Sequence, residues 1–152
     1  QVRGWNFDGA VLAAIAKINF EAFTVRQLGV NLAGGDVDAD RFGEIACAPG
    51  PGPGASFPSR FAGFNYDGTV IAALPGFDLV AFTTTYGGRV GLGDVNGDGG
   101  ADLLAGAGRD PVADSRVLAL RYTGSALNQL VAFLPFVGST YGVNVTAGDL
   151  GY

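Results

Sequence analysis

The chain lacks the residue types on which most catalytic and zinc sites depend. Among its 152 residues it has no His, no Met, one Lys (Lys17) and one Cys (Cys47). Without His, neither a Ser-His-Asp nor a Cys-His arrangement can be assembled, and His-ligated zinc is excluded. A lone Cys excludes an internal disulfide framework, and we expect Cys47 to be a small buried strand residue.

Charged residues and long apolar runs are also scarce. Charged residues make up 15% of the chain, with a net charge of -5, whereas about a quarter is usual. An acidic balance argues against nucleic acid as a partner. The longest apolar run, residues 10–16, ends at Lys17 and falls well short of the ~18 residues that a membrane-spanning helix needs. The sequence therefore predicts a protein without a membrane span.

Glycine and aspartate, by contrast, are concentrated in short loops. The clearest is 94–102, in which oxygen-bearing side chains recur at alternate positions and Gly100 is free to turn its carbonyl inward. Such a loop can wrap a hard cation that takes many oxygen ligands, and we interpret it as a Ca²⁺ site. It is not an EF-hand, because Ala105 stands where the bidentate Glu would be. Its predicted ligands are Asp94, Asn96, Asp98, Asp102 and the Gly100 carbonyl.

A second copy of the pattern lies at 36–44. Here the predicted ligands are Asp36, Asp38, Asp40, Glu44 and the Phe42 carbonyl. Crowded carboxylates repel one another without a cation, so the repetition favours metal binding over simple turn chemistry. Arg41 occupies the position of Gly99 and is expected to fit the turn less well.

The loops belong to a longer internal repeat. Asp36, Asp94 and Asp149 are 58 and 55 residues apart, and the turn glycines Gly9, Gly68 and Gly124 are 59 and 56 apart. The third loop ends at 149–152 without the later acids, so no third calcium site is predicted.

Each repeat contains the pattern of four strands. A Gly-led strand enters the acidic loop, a second leaves it, and a third and fourth form a hairpin around a turn such as Asn65-Tyr66-Asp67-Gly68. A helix over 10–20 is the competing interpretation of the Ala-rich segment, and we prefer a strand because its equivalent contains Pro75 and Gly76. The predicted later strands are 44–48 and 102–107, 60–66 and 116–122, and 69–74 and 125–133.

Aromatic residues recur at corresponding positions of the repeats, as packing between neighbouring sheets requires. They are Trp5, Phe7, Phe20, Phe23, Phe61, Phe64, Tyr66, Phe77, Phe82, Phe133 and Phe136.

Four short strands per repeat, with these loops, are typical of a β-propeller blade. On residues 94–102, residues 36–44 and the glycine-rich segments that follow them, the chain resembles the FG-GAP family, also called VCBS-like repeats. The resemblance implies an all-β fold of propeller-like blades of four antiparallel strands, with Ca²⁺ held between the first two strands of a blade. The Phe-Gly and Gly-Ala-Pro elements of the family are degenerate here, which leaves the subfamily open.

Counting strands in order gives about two full blades with partial blades at both ends. Residues 1–22 supply the last two strands of a partial blade, 23–80 and 81–135 are blade repeats, and 136–152 supply the first strand of a further blade. Native proteins seldom leave the edge strand of a sheet unpaired and unprotected. We therefore expect either a fragment of a longer propeller or head-to-tail strand complementation between copies, in a filament or a ring.

These features favour an extracellular or cell-surface, calcium-binding structural or adhesive protein that is not an enzyme and has no catalytic residues. A start at Gln1 fits a processed product or a fragment, and weak calcium loops suit an extracellular setting. Partners are expected to be other copies of the chain, with a protein or glycan ligand also open. The alternative is a fragment of a secreted propeller that acts as a ligand- or carbohydrate-binding module or as a non-catalytic part of a secreted enzyme.

Overall fold

The structure, a computed structural model, describes residues 1–24, 29–51 and 58–148. Within these ranges every regular element is a β-strand, and ten strands pair antiparallel in three open sheets. The predicted all-β class is confirmed, whereas the arrangement of sheets as propeller blades stays a prediction. Among the described residues, no helix is long and apolar enough to cross a membrane. The predicted incomplete loop at 149–152 lies outside the described residues.

The first sheet is a hairpin of β1 (Val2–Phe7) and β2 (Leu12–Phe20). The Asp8 carboxylate organises its turn by accepting hydrogen bonds from the amides of Ala10 and Val11, at 2.9 and 2.8 Å. These backbone donors lower the pKa of Asp8, and Gly9 takes the positive φ of 97° that the turn requires. The helical alternative for residues 10–20 is therefore wrong, and the preferred strand is confirmed.

The second sheet is a four-stranded meander in the order β3-β4-β5-β6. Its outer hairpin turns at Asp67 as the first sheet turns at Asp8, again with the carboxylate accepting two amide hydrogen bonds. Cys47 is fully buried in its second strand, as expected. The strands are β3 (Val30–Gly35), β4 (Glu44–Pro49), β5 (Ser59–Tyr66) and β6 (Ile71–Phe82).

The third sheet repeats this meander, with adjacent strands β7, β8, β9 and β10. Its second strand is buried along its whole length, which explains why its sequence is continuously apolar after Asp102 rather than alternating. The strands are β7 (Gly88–Gly93), β8 (Asp102–Ala107), β9 (Val117–Tyr122) and β10 (Leu127–Phe133).

Strand β6 is longer than the sequence predicts. The sequence predicts an end at residue 74, whereas the strand continues through Pro75 and Gly76 to Phe82, two residues past the predicted end of the repeat at 80. The register shifts between Ala62 and Phe64 on its partner strand, so the two residues fall in a bulge. Proline is tolerated there because β6 is an edge strand.

Neighbouring sheets meet along their first strands. A Cβ on Gly35 of β3 would lie 3.1 Å from the Leu92 Cβ of β7, and a Cβ on Gly91 would lie 3.1 Å from the Thr146 Cα. Residues 142–148 thus lie against β7 as β7 lies against β3, although they are not paired as a strand. The side-chain amide of Asn31 stabilises the first of these junctions by donating a hydrogen bond to the Gly88 carbonyl at 2.7 Å.

The core is continuous across the second and third sheets. Phe61 and Phe77 are its largest fully buried side chains. Each fills space left by a glycine, since a Cβ on Gly88 would lie 2.6 Å from Phe61 and a Cβ on Gly63 would lie 2.5 Å from Phe77. The prediction that aromatic residues pack between sheets is right for these two and wrong for four that are exposed, namely Trp5, Phe7, Phe133 and Phe136.

We predict that Gly87→Ala destabilises the protein more than Gly68→Ala. Both glycines have positive φ, +71° and +82°, so both variants carry a backbone strain of about 1–2 kcal/mol. Only at Gly87 would the new methyl group also overlap backbone, the carbonyl oxygens of Pro49 and Gly50, which adds about 1–3 kcal/mol. Urea unfolding measures both losses, and equal losses would contradict the close approach of the sheets.

Candidate metal centre

The two acidic loops connect the first and second strands of the two four-stranded sheets. In each loop the closing strand pair brings the last acid beside the start of the loop, since Gly35 pairs with Glu44 and Gly93 pairs with Asp102. Two residues inside each loop have positive φ, at the same two positions. They are Ala39 (62°) and Arg41 (77°) in the first loop, and Gly97 (81°) and Gly99 (91°) in the second.

In the first loop, the side chains at positions one, three and five turn inward onto backbone amides. The Asp36 carboxylate accepts from the amides of Asp40 and Arg41, at 3.2 and 2.8 Å. Asp38 also accepts from the Asp40 amide, at 3.3 Å, and Asp40 accepts from the Phe42 amide, at 2.8 Å. Backbone amides of the loop thus hold the three carboxylates close to one another.

The second loop has the same hydrogen-bond pattern 58 residues later. The Asp94 carboxylate accepts from the amides of Asp98 and Gly99, at 3.2 and 2.8 Å. The Asn96 side-chain oxygen accepts from the Asp98 amide at 2.9 Å, and Asp98 accepts from the Gly100 amide at 3.0 Å. Loops with different residues at four of the first seven positions therefore share one conformation.

The ninth position of each loop carries a buried carboxylate. Glu44 and Asp102 are each 1% exposed. One oxygen of each accepts the amide of the second loop residue, Val37 at 2.8 Å or Val95 at 3.0 Å. The other Asp102 oxygen accepts from the Asn96 side chain at 3.4 Å, whereas Glu44 Oε1 is buried with no hydrogen-bond partner in the described part of the chain.

The electrostatics of the loops follow from this burial. Removal from water raises the pKa of Glu44 to about 6, and the charges of Asp38, Asp40 and Asp36 add to the rise. Burial also raises the pKa of Asp102. The ninth position therefore carries an ionised group at a cost that a nearby cation would offset.

Three of the predicted ligands in the first loop form a cluster suited to a metal ion. One carboxylate oxygen from each of Asp36, Asp38 and Asp40 lies within 4.8 Å of the other two. The second loop has an amide, Asn96, at the middle position, so its acids form no equivalent triplet. The predicted carbonyl ligands, Phe42 and Gly100, and the coordination of an ion by any of these residues stay predictions.

Two features of the site have no local signal in the sequence. The Ala101 amide donates to the Asp36 carbonyl at 2.6 Å and so joins the two loops across the sheet junction. Arg121 from β9 pairs with the Asp98 carboxylate, with 2.9 Å between nitrogen and oxygen. Both lie at a cleft of about 280 Å³ between the loops, which Asp38 and Tyr122 also line.

Comparisons with protein-family models, curated proteins and solved structures return no match to this chain. What the loops can bind therefore follows from their own chemistry. Clustered carboxylate, amide and backbone oxygens suit a hard cation and offer no soft nitrogen or sulfur ligand.

We predict that acid stabilises the calcium-free protein through Glu44. The pKa of this group is about 6 in the folded state against an ordinary 4.5, so the folded state binds the proton more tightly than the unfolded state does. As the pH falls from about 6 to 4.5, protonation of this group increases the free energy of unfolding. Melting temperatures of the wild type and Glu44→Gln, measured across this range in chelator, isolate the effect.

The difference between the two melting curves is the informative quantity, because other carboxylates also titrate at lower pH. With calcium present the trend should reverse, since protons then compete with the ion. A pH dependence in chelator that is identical in wild type and Glu44→Gln would contradict the burial of an ionisable, uncompensated carboxylate.

We also predict that exchanging the residues at position six of the loops has opposite effects. Arg41→Gly removes a side chain from a left-handed backbone conformation that costs a non-glycine residue about 1–2 kcal/mol. The gain is partly offset by the greater freedom of glycine in the unfolded chain, about 0.5–1 kcal/mol. Gly99→Arg places a side chain in the same left-handed conformation and should lower the free energy of unfolding by about 1 kcal/mol. Urea unfolding in chelator measures both, and losses in both variants would contradict the shared loop conformation.

Proposed function

We propose that the loops 36–44 and 94–102 each bind one Ca²⁺ ion and that the ions stabilise the junction between the sheets. The observation that carries the proposal is the buried Glu44 Oε1, which has no hydrogen-bond partner among the described residues and belongs to the same loop as the triplet of Asp36, Asp38 and Asp40. A buried carboxylate oxygen without a partner is costly. A divalent cation among these four acids would supply the missing partner and relieve their mutual repulsion.

Calcium fits the loops better than magnesium does. Each nine-residue loop offers four side-chain oxygen ligands and a carbonyl, and Ca²⁺ accepts six to eight oxygens in irregular geometry. Magnesium requires near-ideal octahedral geometry and keeps several of its waters.

A structural role is supported by where the loops lie. The Ala101 amide, beside two predicted ligands of the second loop, donates to the carbonyl of Asp36, the first ligand of the other loop. An ion in either loop would hold one end of this hydrogen bond in place. The binding energy then adds to the stability of the folded chain as long as the unfolded loops bind calcium poorly.

The finer architecture is part of the same proposal. Successive sheets as blades around an axis would explain why β3 lies beside β7 and why residues 142–148 lie beside β7 in turn. An extracellular setting, where calcium is abundant enough for loops of modest affinity, is proposed on the same chemistry. A non-catalytic role is proposed because the clustered acids are accounted for as ligands.

We predict that calcium raises the melting temperature and that chelation reverses the rise. At a free calcium concentration 100 times the dissociation constant, one site adds about 2.7 kcal/mol to the free energy of unfolding. Titration calorimetry should give two ions for the wild type and one ion for Asp36→Ala or Asp94→Ala. Asp114→Asn removes an exposed charge outside the loops and serves as the control with two ions.

The proposal fails if calcium produces no binding heat and no shift in melting. It also fails if Asp114→Asn weakens binding as much as Asp36→Ala does, since the effect would then come from net charge alone. An equal stabilisation by magnesium would contradict the choice of ion.

A further inference from the structure

The chain contains two junctions at which one sheet packs on the next through aromatic side chains. At the first, the Phe20 ring of β2 lies 4.7 Å from the Phe64 ring of β5. At the second, the Phe77 ring of β6 lies 5.5 Å from the Tyr122 ring of β9, and the Tyr122 hydroxyl donates to the Pro75 carbonyl at 2.9 Å. In both, the last strand of one sheet meets the third strand of the next.

The repeat defines which residues are equivalent at the ends of the chain. The turn glycines are 59 and 56 residues apart, so Trp5 corresponds to Phe64 and to Leu120, and Phe7 corresponds to Tyr66 and to Tyr122. We call the surface formed by Trp5 and Phe7 the leading face. At two of these positions the side chain packs on the preceding sheet, Phe64 against Phe20 and Tyr122 against Phe77.

The opposite end is matched in the same way by strand pairing. Phe20 pairs with Val2, Leu79 with Phe61, and Phe133 with Val117. Val2, Phe61 and Val117 are themselves equivalent in the repeat, so Phe133 occupies the place of Phe20. Val131 lies opposite Ala119, the equivalent of Gly63. We call the surface formed by Val131 and Phe133 the trailing face.

These two faces are apolar and about half exposed in the part of the chain that the structure describes. Trp5 and Phe7 on the leading face are 51% and 64% exposed, and Val131 and Phe133 on the trailing face are 46% and 48% exposed. Phe77 and Tyr122, which form the second junction inside the chain, are 2% and 6% exposed. The chain therefore presents one half of its internal junction at each end, and the two halves are complementary in kind.

We propose that the trailing face of one copy binds the leading face of a second copy, so that copies associate head to tail. The contact would bring Phe133 and Val131 onto Trp5 and Phe7, continuing the junction that Phe77 and Tyr122 form within the chain. The interface is heterologous, because different surfaces meet, and it leaves a free face of each kind on every dimer. This goes beyond calcium binding and relies on sheet faces rather than on the loops.

One substitution on each face tests the proposal. Phe7→Asp and Phe133→Asp each place a charge at the centre of an aromatic contact and should weaken association at least about tenfold. Val112→Asp is the matched control, since Val112 is 85% exposed and lies between β8 and β9. Sedimentation velocity over a concentration series should show larger species for the wild type and the control and a monomer for each face variant.

Mixing the two face variants distinguishes head-to-tail contact from other association. Phe7→Asp keeps an intact trailing face and Phe133→Asp keeps an intact leading face. An equimolar mixture should therefore form a dimer and nothing larger. Circular dichroism and the calcium-dependent melt establish that each variant is folded.

Fluorescence reports the same contact directly, because Trp5 is the single Trp of the chain and lies on the leading face. Its emission should shift to shorter wavelength as the wild-type concentration rises, and should not shift for Phe133→Asp. A wild type that stays monomeric, folded variants that associate as the wild type does, or a mixture that stays monomeric would each overturn the proposal.

Discussion

The interaction on which the rest of the structure depends is the hydrogen bond to the buried carboxylate at the ninth loop position. Glu44 and Asp102 begin the second strand of their sheets, and each accepts the amide of the second loop residue. That hydrogen bond closes the loop at its base, while backbone amides within the loop hold the earlier carboxylates. It also places a charge where water cannot solvate it, which raises the pKa of both groups. We propose that the loop is thereby shaped for a cation before any cation binds.

The close packing of the sheets depends on glycines, which have no side chain, in their first strands. Glycines at the junctions let backbone and side chains of neighbouring sheets approach closely, as where Phe61 occupies the space beside Gly88. The loops lie at the ends of these strands, and the Ala101 amide bonds to Asp36 across the junction. The proposed cation sites and the sheet packing thus involve the same part of the molecule, and we expect a change in one to affect the other.

Local signals in the sequence were enough for much of this fold. The apolar run after Asp102 predicts β8 with its observed bounds, and the Asp-Gly turns at Gly9 and Gly68 predict hairpins, because turn chemistry and strand patterning act over a few residues. The passage of β6 through Pro75 was missed, since a bulge depends on its partner strand. The acidic triplet was recognisable from spacing alone. The burial of Glu44 and the pairing of Arg121 with Asp98 depend on contacts between distant segments, and the sequence carries no local trace of them.

The claim that Glu44 completes a calcium site is tested most directly by a crystal structure determined with saturating Ca²⁺. The account predicts an ion in the first loop with Glu44 Oε1 among its ligands, about 2.3–2.6 Å from the ion, together with oxygens of Asp36, Asp38 and Asp40. A loop without an ion under these conditions, or an ion held by the exposed acids while Glu44 Oε1 remains unpartnered, would contradict it.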